Sequence, residues 1–394
     1  MRYASITCRL EGLGADKWAL HFAALAKIRG GENVVMLSIG EPDFAAPRAV
    51  AAAAIRGIEA GRTKYSSGRG EANVLAAIAA RYARRTGRAI STGQVIFMPG
   101  TQSALFAAMM ALAETGDDVI VPEPFYVTYD GIVAATGARQ VPVATRPEAG
   151  FHLKPADLSR AITPQTRVLL LNSPSNPSGA VLSAQEIAEI GAVCAEHDVW
   201  IVSDEVYEGL VFGNVAFASP FDDPVLAERT VVVSSLSKSH SMTGYRAGWA
   251  VGPEEFCARM LPFAEAMLFG CQPFIQDAAA FALSQEFEEC ARMQAALEQR
   301  GRRTVEILQQ SSSVRASMPE GGMFVFADVR PTGLSGEAFA LGLLAEENIA
   351  VMPGEAFGKA GAGHVRISLT APLEILEPAI GRIAAFASRH PRQA

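Results

Sequence analysis

From about residue 95 to residue 252, short apolar runs alternate with longer stretches whose apolar positions recur at helical spacing. The runs are "QVIFM", "DDVIV", "RQVPV", "RVLLLN", "VWIVSD", "TVVVSS" and "AGWAVG". They are nearly continuous in Val, Ile and Leu, the pattern of strands covered on both faces. Helical patterns lie between most of them. Residues Ser183 to Glu196 are one: Ser183 caps the first turn and Glu186, three residues on, is its capping-box partner. This βα alternation predicts an α/β fold with a mostly parallel, doubly wound sheet of about seven strands.

The end of the chain reads differently. Glu286 to Gln309 is a long amphipathic pattern, followed by "GGMFVFADV", a helical pattern near Glu337 to Glu346, "IAVMPG" and "HVRISLT". That mixture predicts a second, smaller α+β domain. The expected division is a large domain over 46–285 and a small domain made of 1–45 with 286–394.

Composition narrows the class. With 394 residues, 49% of them hydrophobic, the chain buries a large core with a smaller satellite. A net charge of -7, from 34 Lys+Arg against 41 Asp+Glu, leaves no basic stripe for a phosphate backbone, so nucleic acid is not an expected partner. The five cysteines form no CxxC pair, and their odd number argues against a disulfide framework or a zinc site. No apolar run approaches the ~20 residues of a membrane span, and "MRYASITCRLEG" lacks the apolar centre of a signal peptide. The expectation is a cytoplasmic protein with reduced thiols, no metal and no membrane partner.

Open α/β sheets bind ligands beyond the carboxyl ends of their strands, which makes the residues after each run the candidates. After "VIFMP" come Gly100, Thr101, Gln102 and Ser103, opening a helix whose N–H groups and dipole suit a phosphate. After "VLLL" the loop "NSPSNPSG" is stiffened by Pro174 and Pro177 and presents Asn172 or Asn176. "SDEVY" puts Asp204 at a strand end and Tyr207 one turn later. After "VVVS" come Ser235, Ser237, Lys238 and, eight residues beyond the lysine, Arg246. Taken singly, each piece suits a helix cap, a solvated charge or a turn. Together they suit one ligand: hydroxyls, Arg and a helix start for a phosphate, a carboxylate for a ring nitrogen, Asn and Tyr for a phenolic oxygen, and an amine for an aldehyde. That ligand is pyridoxal phosphate, and it explains a lysine at the end of a buried strand, where desolvation lowers its pKa.

The ordered motifs "IGEPDF", "YSSGRG", "PGTQSAL", "EPFYVTY", "NSPSNPSG", "SDEVY", "SSLSKSHSMTGYRAG" and "HVRISLT" resemble those of the class I pyridoxal-phosphate aminotransferases over nearly the whole chain. The resemblance implies fold type I of that cofactor class. It makes Lys238 the Schiff-base lysine, Asp204 the partner of the pyridinium, and Tyr207 with Asn176 the partners of the phenolic oxygen. It assigns the phosphate to Ser235, Ser237 and Arg246, helped by the Gly100, Thr101 and Gln102 loop, and stacks Tyr126 on the ring. Gly40, Asn176 and Arg366 would bind the substrate, with Arg366 taking its α-carboxylate through a bidentate pair. Tyr65 would come from a second subunit, so a homodimer with shared sites is expected. Read without the family, Arg366 suits an exposed edge charge and Tyr126 a core aromatic. His240 receives no role; Trp18 and His21 lie in an N-terminal segment that in such families often covers the substrate, and core or lid packing is the alternative for both.

The expected reaction passes the α-amino group of an L-amino acid to a 2-oxo acid, with Lys238 moving the proton as base and acid. Some aspartate-using relatives carry a lysine where this chain has Gln102, which disfavours aspartate. The wording of "YVTYDG", "SLSKSHSMTG", "FIQDAA", "GGMFVFADVRPTGLS" and "GEAFG" resembles the arginine–pyruvate transaminase branch, so arginine and pyruvate are the first expectation. An aspartate, aromatic or alanine donor, or a lyase acting at the β- or γ-carbon, is the alternative. A sensor domain on this fold is the remaining class. Glu11 or Asp16 are the candidate carboxylates for a guanidinium donor.

Overall fold

The computed structural model describes residues 1–14 and 16–390, apart from the side chain of Asp16. Seven strands form the large sheet: β1 Val95–Met98, β2 Asp118–Glu123, β3 Arg139–Ala144, β4 Thr166–Asn172, β5 Trp200–Asp204, β6 Thr230–Ser235 and β7 Gly248–Val251. Their spatial order is β1-β7-β6-β5-β4-β2-β3. Only β7 runs against its neighbours β1 and β6; the other pairings are parallel. Each of the seven apolar runs is therefore a strand.

Both faces of this sheet are dry. Val231 and Val233 of β6 pack with the helices Thr101–Leu112 and Glu254–Leu268, whereas Val232 between them packs with Val74, Ile78 and Trp249 on the other side. Alternate side chains of a strand point to opposite faces, so a run covered on both sides has to be apolar throughout. Each fully buried Val or Leu there contributes about 1.5–3 kcal/mol. The capping box also forms: Ser183 Oγ accepts from the Glu186 N–H at 3.3 Å and Glu186 Oε2 accepts from the Ser183 N–H at 3.0 Å.

Beyond residue 286 the long helix is Glu288–Leu308. A second sheet follows, with β8 Phe324–Asp328, β9 Met352–Pro353 and β10 His364–Ser368 in the antiparallel order β9-β10-β8. "IAVMPG" divides between two sheets. Ile349–Ala350 pairs in parallel with Val35–Met36, while Met352–Pro353 pairs with β10. One apolar core joins Leu20, Ala24, Val34 and Leu37 to Leu297, Phe339, Ile349 and Ile380. Among the described residues no helix is long and apolar enough to cross a membrane, no group of side chains suits a metal ion, and the five cysteines are free.

Candidate active site

A cavity of about 400 Å³ opens at the carboxyl ends of β4, β5 and β6 and is closed from the other side by β8 and β10. It gathers Gly40, Thr101, Gln102, Tyr126, Asn176, Asp204, Tyr207, Ser235, Ser237, Lys238, Arg246 and Arg366. These come from segments more than 300 positions apart in the chain, and the fold alone brings them together.

Lys238 follows the end of β6 by three residues, and its Nζ donates to the Gly40 carbonyl at 2.5 Å. Position 40 has no room for a side chain, because a Cβ there would overlap the Phe324 ring. Burial lowers the Lys238 pKa to about 8; Arg366 and Arg246 push the same way, and Glu41 and Asp204 oppose them. Asp204 ends β5. Burial raises its carboxyl to about 6, against hydrogen bonds to Oδ2 from the Tyr129 hydroxyl at 2.8 Å and to Oδ1 from the Val206 N–H at 3.2 Å. Tyr207 lies one turn on, with burial holding its phenol above the ordinary range.

The two asparagines now separate. Asn172 is a strut: its Nδ2 donates to the Asp204 carbonyl at 3.0 Å and its Oδ1 accepts the Asn176 N–H at 2.8 Å. Asn176 uses Oδ1 to accept from Arg366 Nη1 at 2.9 Å, which leaves its amide nitrogen turned to other partners.

Arg366 is not an edge charge. It lies on the central strand of the second sheet and is 1% exposed. Nη2 donates to the Ser38 carbonyl at 2.6 Å, and the guanidinium lies 4.1 Å from the Phe324 ring centroid and 4.8 Å from that of Phe357. Its hydrogen-bond partners are an amide oxygen and a carbonyl, with no carboxylate among the described residues; its Nε is buried without a partner, and burial lowers its pKa to about 10. A buried guanidinium without a counter-ion is chemically suited to an anion.

At the opposite end, Gly100 has φ 87, and a Cβ on it would run into the Arg246 guanidinium. Arg246 is steadied by the carbonyls of Thr243 at 2.8 Å and Pro99 at 3.3 Å. Thr101 Oγ1, in the first turn of its helix, is buried with no partner, and the Ser235 and Ser237 hydroxyls line the same corner.

Several lining residues escape sequence reasoning. Tyr129, Glu41, Thr243 and Phe324 all line the cavity; Trp18, of the N-terminal segment expected to cover the substrate, lines it too. Tyr129 has a signal in hindsight, since it sits three residues after Tyr126 and its ring meets that of Tyr126 at 5.6 Å. Glu41 Oε1 accepts from the Thr243 hydroxyl at 2.7 Å. Other candidates lie elsewhere. Tyr65 is 86% exposed, outside this cavity, with its ring edge against Phe269 at 5.0 Å. Glu11 is exposed and does not reach the cavity, which corrects its candidacy; the Asp16 side chain lies outside the described residues. His240 is in contact with Ser239 and Phe287, and burial lowers its pKa to about 4.

Residues 32–383 match the family described as aminotransferase class I and II. The chain belongs to this family. It is 45% identical over 388 residues to the arginine–pyruvate transaminase AruH of Pseudomonas aeruginosa, covering 98% of each chain. It is 38% identical to an aspartate/prephenate aminotransferase of Cereibacter sphaeroides, over 90% of this chain and 92% of that one. Its fold superposes on a crystal structure of the aspartate aminotransferase from Rhizobium meliloti with a TM-score of 0.92, at 33% identity and 99% coverage of both. This aminotransferase depends on pyridoxal phosphate and transfers an amino group from an amino-acid donor to a 2-oxo acid. The expected fold type and reaction class therefore hold.

Proposed function

We propose that this cavity binds pyridoxal phosphate with Lys238 as the covalent anchor, and that the donor is L-arginine and the acceptor pyruvate. The observation that carries the cofactor reading is Lys238 itself: a buried amine with its pKa drawn to about 8, sharing one cavity with a buried carboxylate and an unpaired guanidinium. The donor set fits the group. The orphan Thr101 hydroxyl, the Ser235 and Ser237 hydroxyls, Arg246 and the amides after Gly100 suit a phosphate dianion. Asp204 suits a protonated ring nitrogen, whose charge would draw the carboxyl back below 6.

Once bound, the cofactor supplies an aldehyde and a ring that withdraws electrons from the substrate's α-carbon. The chain's residues do the rest. Tyr207 Oη and Asn176 Nδ2 would donate to the ring's phenolic oxygen. Tyr126, which lines the cavity, would pack on the ring. Arg366 orients the donor by its α-carboxylate, and Gly40 leaves room for it. Lys238 Nζ would be the base that removes the α-proton and the acid that returns it.

Two observations support arginine. The relative of 45% identity bears that name. A dicarboxylate also fares badly here: with Lys238, Arg246 and Arg366 committed, no further cation lines the cavity for its second carboxylate among the described residues, whereas Glu41 does line it. Gln102, whose Oε1 accepts from the Thr128 hydroxyl at 3.2 Å, is neutral. Mixing the loaded enzyme with single amino acids, without acceptor, is expected to change the bound cofactor's absorbance with arginine at least ~10-fold more efficiently than with aspartate. An unchanged spectrum with arginine and a rapid change with aspartate or phenylalanine would overturn the donor.

The exposed Tyr65 stands with Phe269, Met267, Phe263, Ile55 and Ile58 among the exposed large apolar side chains, which supports a homodimer in which Tyr65 completes the partner's site. Lys238→Ala and Tyr65→Ala subunits, unfolded together and refolded at equal ratio, should regain about a quarter of wild-type activity, because each mixed dimer has one site with both residues intact. No regain above the two parents would place Tyr65 outside the partner's site.

A further inference from the structure

Asp204 and Tyr207 leave the end of β5 toward the cavity, whereas Glu205 and Glu208, one residue after each, lie on the blind side. Both glutamates are buried, with side chains 1% and 7% exposed. They meet at one guanidinium. Arg85, from the last turn of the helix Ala72–Thr86, donates through Nη1 to Glu205 Oε2 and to Glu208 Oε2, each at 2.9 Å, and through Nε to Asp222 Oδ1 at 2.8 Å. Arg81, one turn earlier, reaches Glu208 Oε1 at 3.1 Å. The fork cannot swing aside, because its guanidinium lies over the rings of Tyr82 at 4.7 Å and Phe217 at 5.4 Å.

We propose that Arg85 is a positioning residue for transamination: by gripping Glu205 and Glu208 behind the strand end, it fixes the backbone from which Asp204 and Tyr207 reach the cofactor. The physical reason is like-charge repulsion. Two buried carboxylates three residues apart push the segment open unless a cation lies between them. Ser203, at 3.0 Å, and Ser219 donate to Glu205 Oε1 and Ser234 to Glu208 Oε1 at 3.3 Å; Arg81 shares the charge of Glu208, but Arg85 is the one cation that reaches Glu205 among the described residues. Burial pushes the Glu205 carboxyl upward, while Glu208, against the same burial, is held down by Arg81 and Arg85. The Asp204 carbonyl is tied by Asn172 Nδ2 at 3.0 Å, one residue before the glutamate that Arg85 grips. The Asp204 carboxylate is held on the cavity side by the Tyr129 hydroxyl and its own turn amide. Arg366, by contrast, is anchored through Ser38 and Asn176, so donor binding does not depend on the Arg85 cluster.

This inference rests on the cofactor site proposed above, and the test separates the two. Arg85→Gln, Arg85→Lys and Glu208→Gln are compared with wild type for cofactor dissociation constant, for the pH midpoint of the bound cofactor's absorbance, and for kcat and KM of the donor. Arg85→Gln should weaken cofactor binding and lower kcat about 10- to 100-fold while donor KM stays within about twofold. Its absorbance midpoint should move by about one pH unit, because that midpoint reports how Asp204 and Tyr207 meet the ring. Arg85→Lys, which keeps the charge and loses the fork, should fall between Arg85→Gln and wild type. Variants that melt earlier yet keep the wild-type midpoint and cofactor affinity would reduce Arg85 to a structural ion pair. Where Arg85→Gln does not accumulate folded, Arg85→Lys and Glu208→Gln decide on the same two readouts. Failure of wild type to bind the cofactor at Lys238 would instead remove the site reading.

Discussion

Lys238→Ala is expected to abolish turnover, lowering kcat at least about 10⁴-fold with every donor, and to leave no cofactor attached after borohydride reduction. The expectation follows from the inventory of the cavity. Its other nitrogen bases are guanidiniums, which stay protonated and neither attack an aldehyde nor accept a proton at neutral pH. Among the described residues no histidine lines it to take over. The reduced pKa of about 8 adds a signed pH dependence. Only the neutral amine is a nucleophile, so the rate at which cofactor-free enzyme captures the aldehyde should rise about tenfold per pH unit below 8 and level off above it. An unshifted lysine would keep rising toward pH 10. Stopped-flow absorbance after a pH jump measures both the slope and the plateau. A variant that turns over like wild type, or a rate that falls as pH rises, would remove Lys238 from its role.

How much of this was legible in the sequence depended on distance along the chain. The seven strands were readable because a strand covered on both faces is apolar at consecutive positions, as in Val231, Val232 and Val233, and that signal is local. The strand-end chemistry was readable for the same reason: Asp204 with Tyr207, and Lys238 with Ser235 and Ser237, are each set by a single turn. Arg366 was not readable without the family. On "HVRISLT" it alternates with apolar residues as an exposed charge would, and only the meeting of Phe324, Phe357, Ser38 and Asn176 from four other segments turns its face inward. Glu205 and Glu208 were missed likewise. They sit inside a motif read for its cavity-facing members, and their partner Arg85 is more than a hundred residues away. The division of "IAVMPG" between two sheets also escaped, because a single apolar run carries no sign of where its pairing partner changes.

Arg366→Met should separate donor recognition from everything else the cavity does. The wild-type guanidinium is held out of water with no carboxylate opposite it, so the ligand-free enzyme bears a desolvation cost that a substrate carboxylate offsets. Methionine keeps the apolar stem against Phe324 and Phe357 but removes the charge, leaving the Asn176 Oδ1 and the Ser38 carbonyl without their donor. Loss of one member of a buried, charge-assisted pair costs about 3–5 kcal/mol, so kcat/KM for every α-amino acid should fall roughly 10²- to 10⁴-fold. The loss should appear first in KM, because the contact exists before chemistry begins. Cofactor affinity and attachment at Lys238 should change by less than about threefold, since Arg366 stands at the opposite end from Arg246 and the serines. The melting temperature of the ligand-free protein should hold or rise, as relief of a buried charge offsets two lost hydrogen bonds. Arg366→Lys, with charge but no fork, should recover part of the lost kcat/KM. If Arg366→Met instead melted several degrees lower with donor KM unchanged, the guanidinium would be a support of the second sheet and not the seat of the substrate carboxylate.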